Sequence, residues 1–119
     1  MVVKKLSAVT LFVRDMNRSV KFYKTDLGME LLYGGPDSSF TSFSLGESYI
    51  NLVLDTDYTF AHWGRIIFYV DDVDEFYRKV VSKGLSPLTE PQNADWQERY
   101  FHLLDPDDHE LSFARPIDL

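Results

Sequence analysis

The sequence predicts an α+β protein made of two consecutive βαβββ modules, whose curved mixed sheets are expected to form a cleft. The first supporting observation is a set of short β-rich segments with alternating apolar residues. The second is a pair of amphipathic helical segments, each ended by a glycine. The third is that the order of elements in the first half of the chain is repeated in the second half, and an internal repeat constrains architecture more strongly than any single element.

Module one is expected over about residues 5–54. A strand is predicted at Leu6–Val13, followed by a helix that has Asp15 as its N-cap and Gly28 just beyond its C-terminus. The helix carries an apolar stripe at Val20, Tyr23 and Leu27. Turn-forming residues at 34–39 and at 46–47 then separate three further strands. These strands are predicted at Met29–Tyr33, Phe40–Leu45 and Ser48–Leu54.

Residues 55–63 break the pattern and are predicted to be a linker, after which module two occupies about residues 64–116. Its first strand is predicted over 64–70 and its helix over 71–84, where Asp72 and Glu75 have the spacing of a capping box. The apolar stripe of this helix consists of Val73, Phe76, Tyr77, Val80 and Val81. Three strands follow, at Leu85–Thr89, Glu98–Leu104 and Glu110–Arg115.

Composition limits the function classes. A chain of 119 residues is expected to form one domain, and a net charge of −7 disfavours nucleic acid as a partner. The absence of cysteine excludes disulfides and thiolate metal sites. No segment has the apolar length of a membrane helix, and the N-terminus does not resemble a signal peptide. We therefore expect a cytoplasmic protein that interacts with neither membranes nor nucleic acids.

Three segments resemble one known family. VRDMNRSVKFYKTDLGMELLY, beginning at Val13, is similar to the start of glyoxalase and bleomycin-resistance proteins. YVDDVD, beginning at Tyr69, resembles the start of their second module, and YFHLLDPDDHELSFARP, beginning at Tyr100, resembles their closing strands. The chain thus resembles the vicinal oxygen chelate superfamily, the glyoxalase/bleomycin-resistance/dioxygenase fold, from about Leu6 to Pro116. The resemblance implies two βαβββ modules and a homodimer.

Metal-dependent members of that family hold a divalent ion with His, Glu or Gln at four strand positions. By the resemblance these positions fall on Ala8, Asn51, Arg65 and Ser112. An alanine cannot ligate, an arginine repels a cation, and the amide and hydroxyl are neutral, weak donors. A two-residue shift would place Glu110 at the fourth position, but one carboxylate does not make a site. No metal and no cofactor is therefore expected.

Strand alternation assigns the side chains that face the expected cleft. Ala8 and Thr10 share one face of the first strand, Arg65 and Tyr69 share one face of the fifth, and Glu110 lies on the same face as Ser112 in the last. A buried arginine needs a partner, so an Arg65–Glu110 ion pair is the structural explanation of these two residues. The functional alternative is that Arg65 binds a carboxylate or phosphate of a ligand.

Aromatic side chains are concentrated near the expected mouth of the cleft, at Tyr58, Phe60, Trp63, Trp96 and Tyr100. Ordinary packing is the simpler explanation for any one of them. The three histidines, His62, His102 and His109, are each more typical of structural or exposed residues than of metal ligands.

The expected function is metal-free binding of a small organic ligand in the cleft. The alternative is a metal-dependent glyoxalase-like lyase or ring-cleaving dioxygenase, and a third possibility is metal-free catalysis through Glu110 or His102. No catalytic residue is assigned. The candidate ligand-binding residues are Arg65, Ser112, Glu110, Asn51, Ala8, Thr10, Tyr69, Trp63, Tyr100 and His102.

Overall fold

A computed structural model of the protein describes residues 1–117. The chain divides into two compact units, and the first ends at Thr59, inside the predicted linker. Each unit is described by itself below. Among residues 1–117, no helix has the length and apolar character needed to span a membrane.

The first unit contains one helical region and four strands. The strands are β1 (Ala8–Val13), β2 (Glu30–Tyr33), β3 (Phe40–Leu45) and β4 (Ser48–Leu54), and the helix α1 (Met16–Val20) lies between β1 and β2. The sheet order is β1-β4-β3-β2. β1 pairs with β4 in parallel, whereas the other two pairings are antiparallel.

The helix of the first unit begins and ends where the sequence predicts. The Asp15 side chain accepts a hydrogen bond from the Arg18 backbone N–H at 3.0 Å, and Gly28 ends the helix with a φ of +78°. Its second half is different from the prediction, because α1 continues directly into a π-helical segment at Lys21–Asp26. The wider turn still buries the predicted stripe of Val20, Tyr23 and Leu27.

The second unit repeats this arrangement. Its strands are β5 (Arg65–Tyr69), β6 (Gln92–Asn93), β7 (Glu98–Leu104) and β8 (Glu110–Pro116), and its helix is α2 (Val73–Ser82). The sheet order is β5-β8-β7-β6, with β5 parallel to β8 and the other pairings antiparallel. The two sheets therefore have the same topology, and the predicted α+β fold of two βαβββ modules is confirmed.

Each helix packs on the sheet of its own unit. In the first, the Tyr23 ring lies 6.0 Å from that of Phe43 on β3. In the second, Phe76 packs against Phe113 of β8 with ring centroids 4.8 Å apart. The apolar stripe of α2 is narrower than predicted, because Val81 is 44% exposed.

One predicted strand is wrong. The segment Leu85–Thr89 is not a strand, and the short strand β6 forms instead at Gln92–Asn93, which the sequence places in a turn. Pro87 lacks a backbone N–H and interrupts the ladder. The segment still lies beside β7, because the Leu88 N–H donates to the His102 carbonyl and the Thr89 hydroxyl accepts from the His102 N–H.

The turn between β2 and β3 depends on a glycine. Gly34 has a φ of +80°, and a Cβ at this residue would lie 2.2 Å from the backbone oxygen of Phe40. The neighbouring Gly35 N–H donates to the Thr41 hydroxyl at 3.1 Å, which holds the same turn against β3. A side chain at position 34 would therefore push the turn away from the strand.

We expect Gly34→Ala to destabilise the protein more than Gly46→Ala. Gly46 also has a positive φ, +64°, but has open space around its Cβ position. Gly46→Ala should cost about 1 kcal/mol, from backbone strain alone. Gly34→Ala adds a steric clash with backbone and should cost roughly 1–3 kcal/mol more. Urea unfolding of both variants would measure the difference, and equal losses would contradict this account of the turn.

Candidate functional site

The second sheet has one face against α2 and one open face. Phe101 and Phe113 contact the aromatic residues of α2, so they define the covered face. Alternation then puts the other set of side chains on the open face. A pocket of about 70 Å³ lies there. It is lined by Arg65, Ile67, Trp96, Glu98, Tyr100, His102, Ser112 and Ala114.

The strand register brings residues of three strands into rows across this face. Arg65 pairs with Glu110, and Ile67 pairs with Ser112 on β8, which in turn pairs with His102 on β7. The small residues Ser112 and Ala114 stand on the central strand of these rows, where both are buried. Their size leaves a depression between the larger side chains of β5 and β7.

Arg65 and Glu110 form the predicted ion pair. The guanidinium Nη2 lies 2.8 Å from the Glu110 Oε1, and the two side chains are 43% and 18% exposed. The positive charge of Arg65 is therefore compensated within the chain. Because the pair is partly in contact with water, its stabilising effect is smaller than that of a fully buried pair.

His102 and Ser112 form a second polar contact in the pocket. The imidazole Nδ1 lies 2.6 Å from the Ser112 Oγ, and either group can be the donor. Burial lowers the pKa of His102 below 6.5, and the nearby Arg65 charge lowers it further, while Glu110 partly opposes this. The imidazole is therefore neutral at pH 7, so the Ser112 hydroxyl can donate to it.

Glu98 occupies one end of the pocket beside two aromatic side chains. Its Oε2 accepts a hydrogen bond from the Tyr69 hydroxyl, and its Oε1 accepts from the Trp96 indole N–H at 2.9 Å. The Trp96 and Tyr100 rings stack with centroids 6.0 Å apart and planes inclined by 21°. Tyr100 then lies 5.0 Å from the His102 ring, which gives an aromatic row along β7.

The remaining predicted residues lie elsewhere. Ala8, Thr10 and Asn51 belong to the first unit, where the Asn51 amide donates to the Thr10 hydroxyl at 3.3 Å. Trp63 does not line the pocket on the second sheet. Its indole N–H donates to the buried His109 Nδ1 at 2.8 Å, so its role is to hold the turn between β7 and β8.

Two side chains at this pocket that could ligate a metal already have partners within the protein. Glu110 accepts a bond from Arg65, and His102 Nδ1 is engaged by Ser112. Through residue 117, no group of three His, Cys, Asp or Glu side chains is arranged to hold a metal ion. The Arg65 guanidinium places a positive charge next to these groups, which disfavours a divalent cation there.

Four residues that line this pocket are not among the candidates predicted from the sequence, and Glu98 is the charged one; the others are Ile67, Trp96 and Ala114. Strand alternation could have identified Glu98, because residues 98, 100 and 102 of β7 share one face. Tyr100 and His102 are predicted pocket residues on that face, and the same alternation places Glu98 beside them. What the sequence does not show is that Tyr69 and Trp96, from a different strand and a turn, converge on its carboxylate.

Comparison with known proteins gives consistent matches. The family model for the Glyoxalase/Bleomycin resistance protein/Dioxygenase superfamily matches residues 5–113. The protein YraH of Bacillus subtilis is 29% identical over 118 residues, covering 87% of this chain and 91% of its own. The metallothiol transferase FosB of Lysinibacillus sphaericus is 25% identical over 122 residues, covering 95% and 83%.

Two solved structures show the same fold. A glyoxalase family protein from Bacillus anthracis superimposes with a TM-score of 0.84 at 18% identity, covering 98% of each chain. TioX from Micromonospora sp. ML1 gives 0.77 at 22% identity, covering 96% of this chain and all of its own. With a family model that spans nearly the whole sequence, the chain belongs to the Glyoxalase/Bleomycin resistance protein/Dioxygenase superfamily.

Proposed function

We propose that this protein binds a small organic molecule on the open face of its second sheet, and that it does so without a divalent metal. The observation that supports this most directly is the pocket itself. It combines an aromatic row with a few polar groups whose positions are fixed by hydrogen bonds, and its volume of about 70 Å³ suits one end of a ligand, the rest of which would lie on the exposed side chains around it.

The aromatic row supplies most of the contact area in this proposal. Trp96 is 68% exposed and Ile67 is 57% exposed, so their apolar surfaces are available to a ligand. His102 and Ser112 lie at the base of the pocket and can orient a polar group of the ligand by hydrogen bonds.

A metal-dependent reaction is the second candidate, and the similarity to FosB favours it because that relative is named a metallothiol transferase. The chemistry of the donor set opposes it. The positions that the family uses carry Ala8, Asn51, Arg65 and Ser112 here, and the nearby Glu110 is already paired with Arg65. We therefore derive no reaction step that requires a metal.

We expect purified protein, after dialysis against Zn²⁺, Ni²⁺ or Mn²⁺ and gel filtration, to retain far less than one equivalent of metal. Elemental analysis by mass spectrometry would measure this. Glu110→Gln is the matched control, since it removes the nearest carboxylate. One equivalent of metal in the native protein, lost in Glu110→Gln, would refute the metal-free proposal. Mass spectrometry of small molecules released from the same preparation would identify a bound ligand.

Arg65→Met tests the arrangement of charges in the pocket. Arg65 lowers the pKa of His102 and Glu110 raises it. The pKa of His102 should therefore be higher in Arg65→Met than in the native protein. An NMR titration of the imidazole would measure the shift, with Arg78→Met on α2 as the control for loss of a positive charge. An unchanged His102 titration would mean that the guanidinium does not face the pocket.

Arg65→Met should also change the free energy of unfolding and its dependence on pH. The His102 pKa is depressed in the folded state, so the folded protein binds this proton less readily than the unfolded chain. The contribution of His102 to the free energy of unfolding is complete above pH 6.5 and is lost as the pH falls through the pKa of the folded state. Arg65→Met should make this pH dependence smaller. At pH 7 the variant should lose about 1 kcal/mol, since the ion pair is partly exposed.

We also infer that the protein forms a homodimer. β2 is an edge strand and carries two exposed apolar side chains, Leu32 at 58% and Tyr33 at 66%. An exposed edge with apolar residues is commonly covered by a symmetric partner.

Light scattering at micromolar concentration should give twice the monomer mass, and Leu32→Glu should shift the mass toward the monomer. A monomer mass for the native protein would contradict the inference.

A further inference from the structure

We propose that the ligand of this pocket is an organic cation, whose charged nitrogen is held between the Glu98 carboxylate and the ring faces of Trp96 and Tyr100. This inference rests on the proposed function, because it names the chemical class that the same pocket accepts. Two observations support it. Arg65 is paired with Glu110, and the Glu98 carboxylate is hydrogen-bonded only to neutral donors among the described residues.

The two charged residues of the pocket are not equivalent. Arg65 has a carboxylate partner in Glu110, so that pair contributes no net charge. The partners of the Glu98 carboxylate within residues 1–117 are two neutral donors, the Tyr69 hydroxyl and the Trp96 indole. A negative charge therefore remains at the Glu98 end of the pocket, without an internal cation.

The two donors orient Glu98 without using its full capacity. Each carboxylate oxygen accepts one hydrogen bond, and an ionised carboxylate can accept about four. The bond to Glu98 raises the pKa of Tyr69 above 10.0, so its hydroxyl remains a donor throughout the physiological range. The carboxylate is thus held in place and can still accept bonds from an ammonium or guanidinium group.

The aromatic side chains beside Glu98 provide the second component of a cation site. The negatively polarised face of an indole is the best aromatic partner for a cation, followed by tyrosine. Trp96 and Tyr100 present nearly parallel rings next to the carboxylate, and Trp96 is largely exposed. An organic cation could contact the rings through its carbon atoms and the carboxylate through its charge.

An anionic ligand, which the sequence suggested as a possible partner of Arg65, fits less well. A carboxylate or phosphate would have to displace Glu110 from the guanidinium and would lie in the same pocket as Glu98. The chain as a whole carries a net charge of −7, which further disfavours the approach of anions. The charge distribution therefore selects cations over anions.

Three probes of similar size separate charge from shape: the phenethylammonium cation, neutral 2-phenylethanol and anionic 3-phenylpropanoate. Binding would be followed by NMR at the Trp96 indole N–H, assigned with Trp96→Phe, and at the His102 imidazole. The cation should bind about 10-fold more tightly than the alcohol, and its affinity should fall with added salt. The anion should bind more weakly than the alcohol.

Glu98→Gln preserves the shape of the side chain and removes its charge. In this variant the affinity for the cation should fall to about that of the alcohol for the native protein. Glu47→Gln, in the exposed turn of the first unit, is the matched control and should leave all three affinities unchanged. Melting temperatures of both variants would confirm that they remain folded.

The outcomes distinguish this inference from the proposed function. If the alcohol binds as tightly as the cation, or if Glu98→Gln leaves the preference unchanged, the pocket still binds small molecules but the cation inference is overturned. A preference for the anion also overturns it and assigns the site to Arg65. If none of the probes shifts the resonances of Trp96 and His102, both the cation inference and the proposed site are overturned.

Discussion

The parallel pairing of β5 with β8 is the constraint on which the candidate site depends. It places Arg65 opposite Glu110 and Ile67 opposite Ser112, while the antiparallel pairing of β8 with β7 adds His102 to the second row. Because side chains alternate along a strand, a shift of β5 by one residue against β8 would put Phe68 on the open face and Arg65 against α2. The stacking of Phe68 on Phe113, with ring centroids 5.6 Å apart, opposes such a shift.

Within that register, each polar group of the pocket has a defined partner. Arg65 and Glu110 neutralise each other, and His102 bonds to Ser112, whose burial keeps the pair away from bulk water. Glu98 differs, because the Tyr69 and Trp96 side chains hold it without cancelling its charge. The arrangement of partners, rather than the number of charged residues, is what gives the pocket a negative character.

Membership of the Glyoxalase/Bleomycin resistance protein/Dioxygenase superfamily supplies the scaffold but does not define the chemistry at this site. In this chain Arg65 and Ser112 both form hydrogen bonds with other protein side chains, Glu110 and His102.

The sequence by itself determined the fold class, the two modules and most of their elements. Local signals at Asp15, Gly28 and Asp72 delimit the helices, strand alternation assigns the faces of β5 and β8, and the repeated order of elements defines the two modules. The same alternation predicted that Arg65 and Glu110 could meet, and the structure shows them 2.8 Å apart.

Only the tertiary structure decided which side chains surround each charge. The π-helical segment after Val20, the strand at Gln92–Asn93 in place of Leu85–Thr89, and the bond from Trp63 to His109 all depend on contacts between distant parts of the chain. The convergence of Tyr69 and Trp96 on Glu98 has the same origin, since these residues lie on a strand, in a turn and on another strand. Periodicity reports which face a side chain occupies, but the partner it meets across strands is set by register and packing.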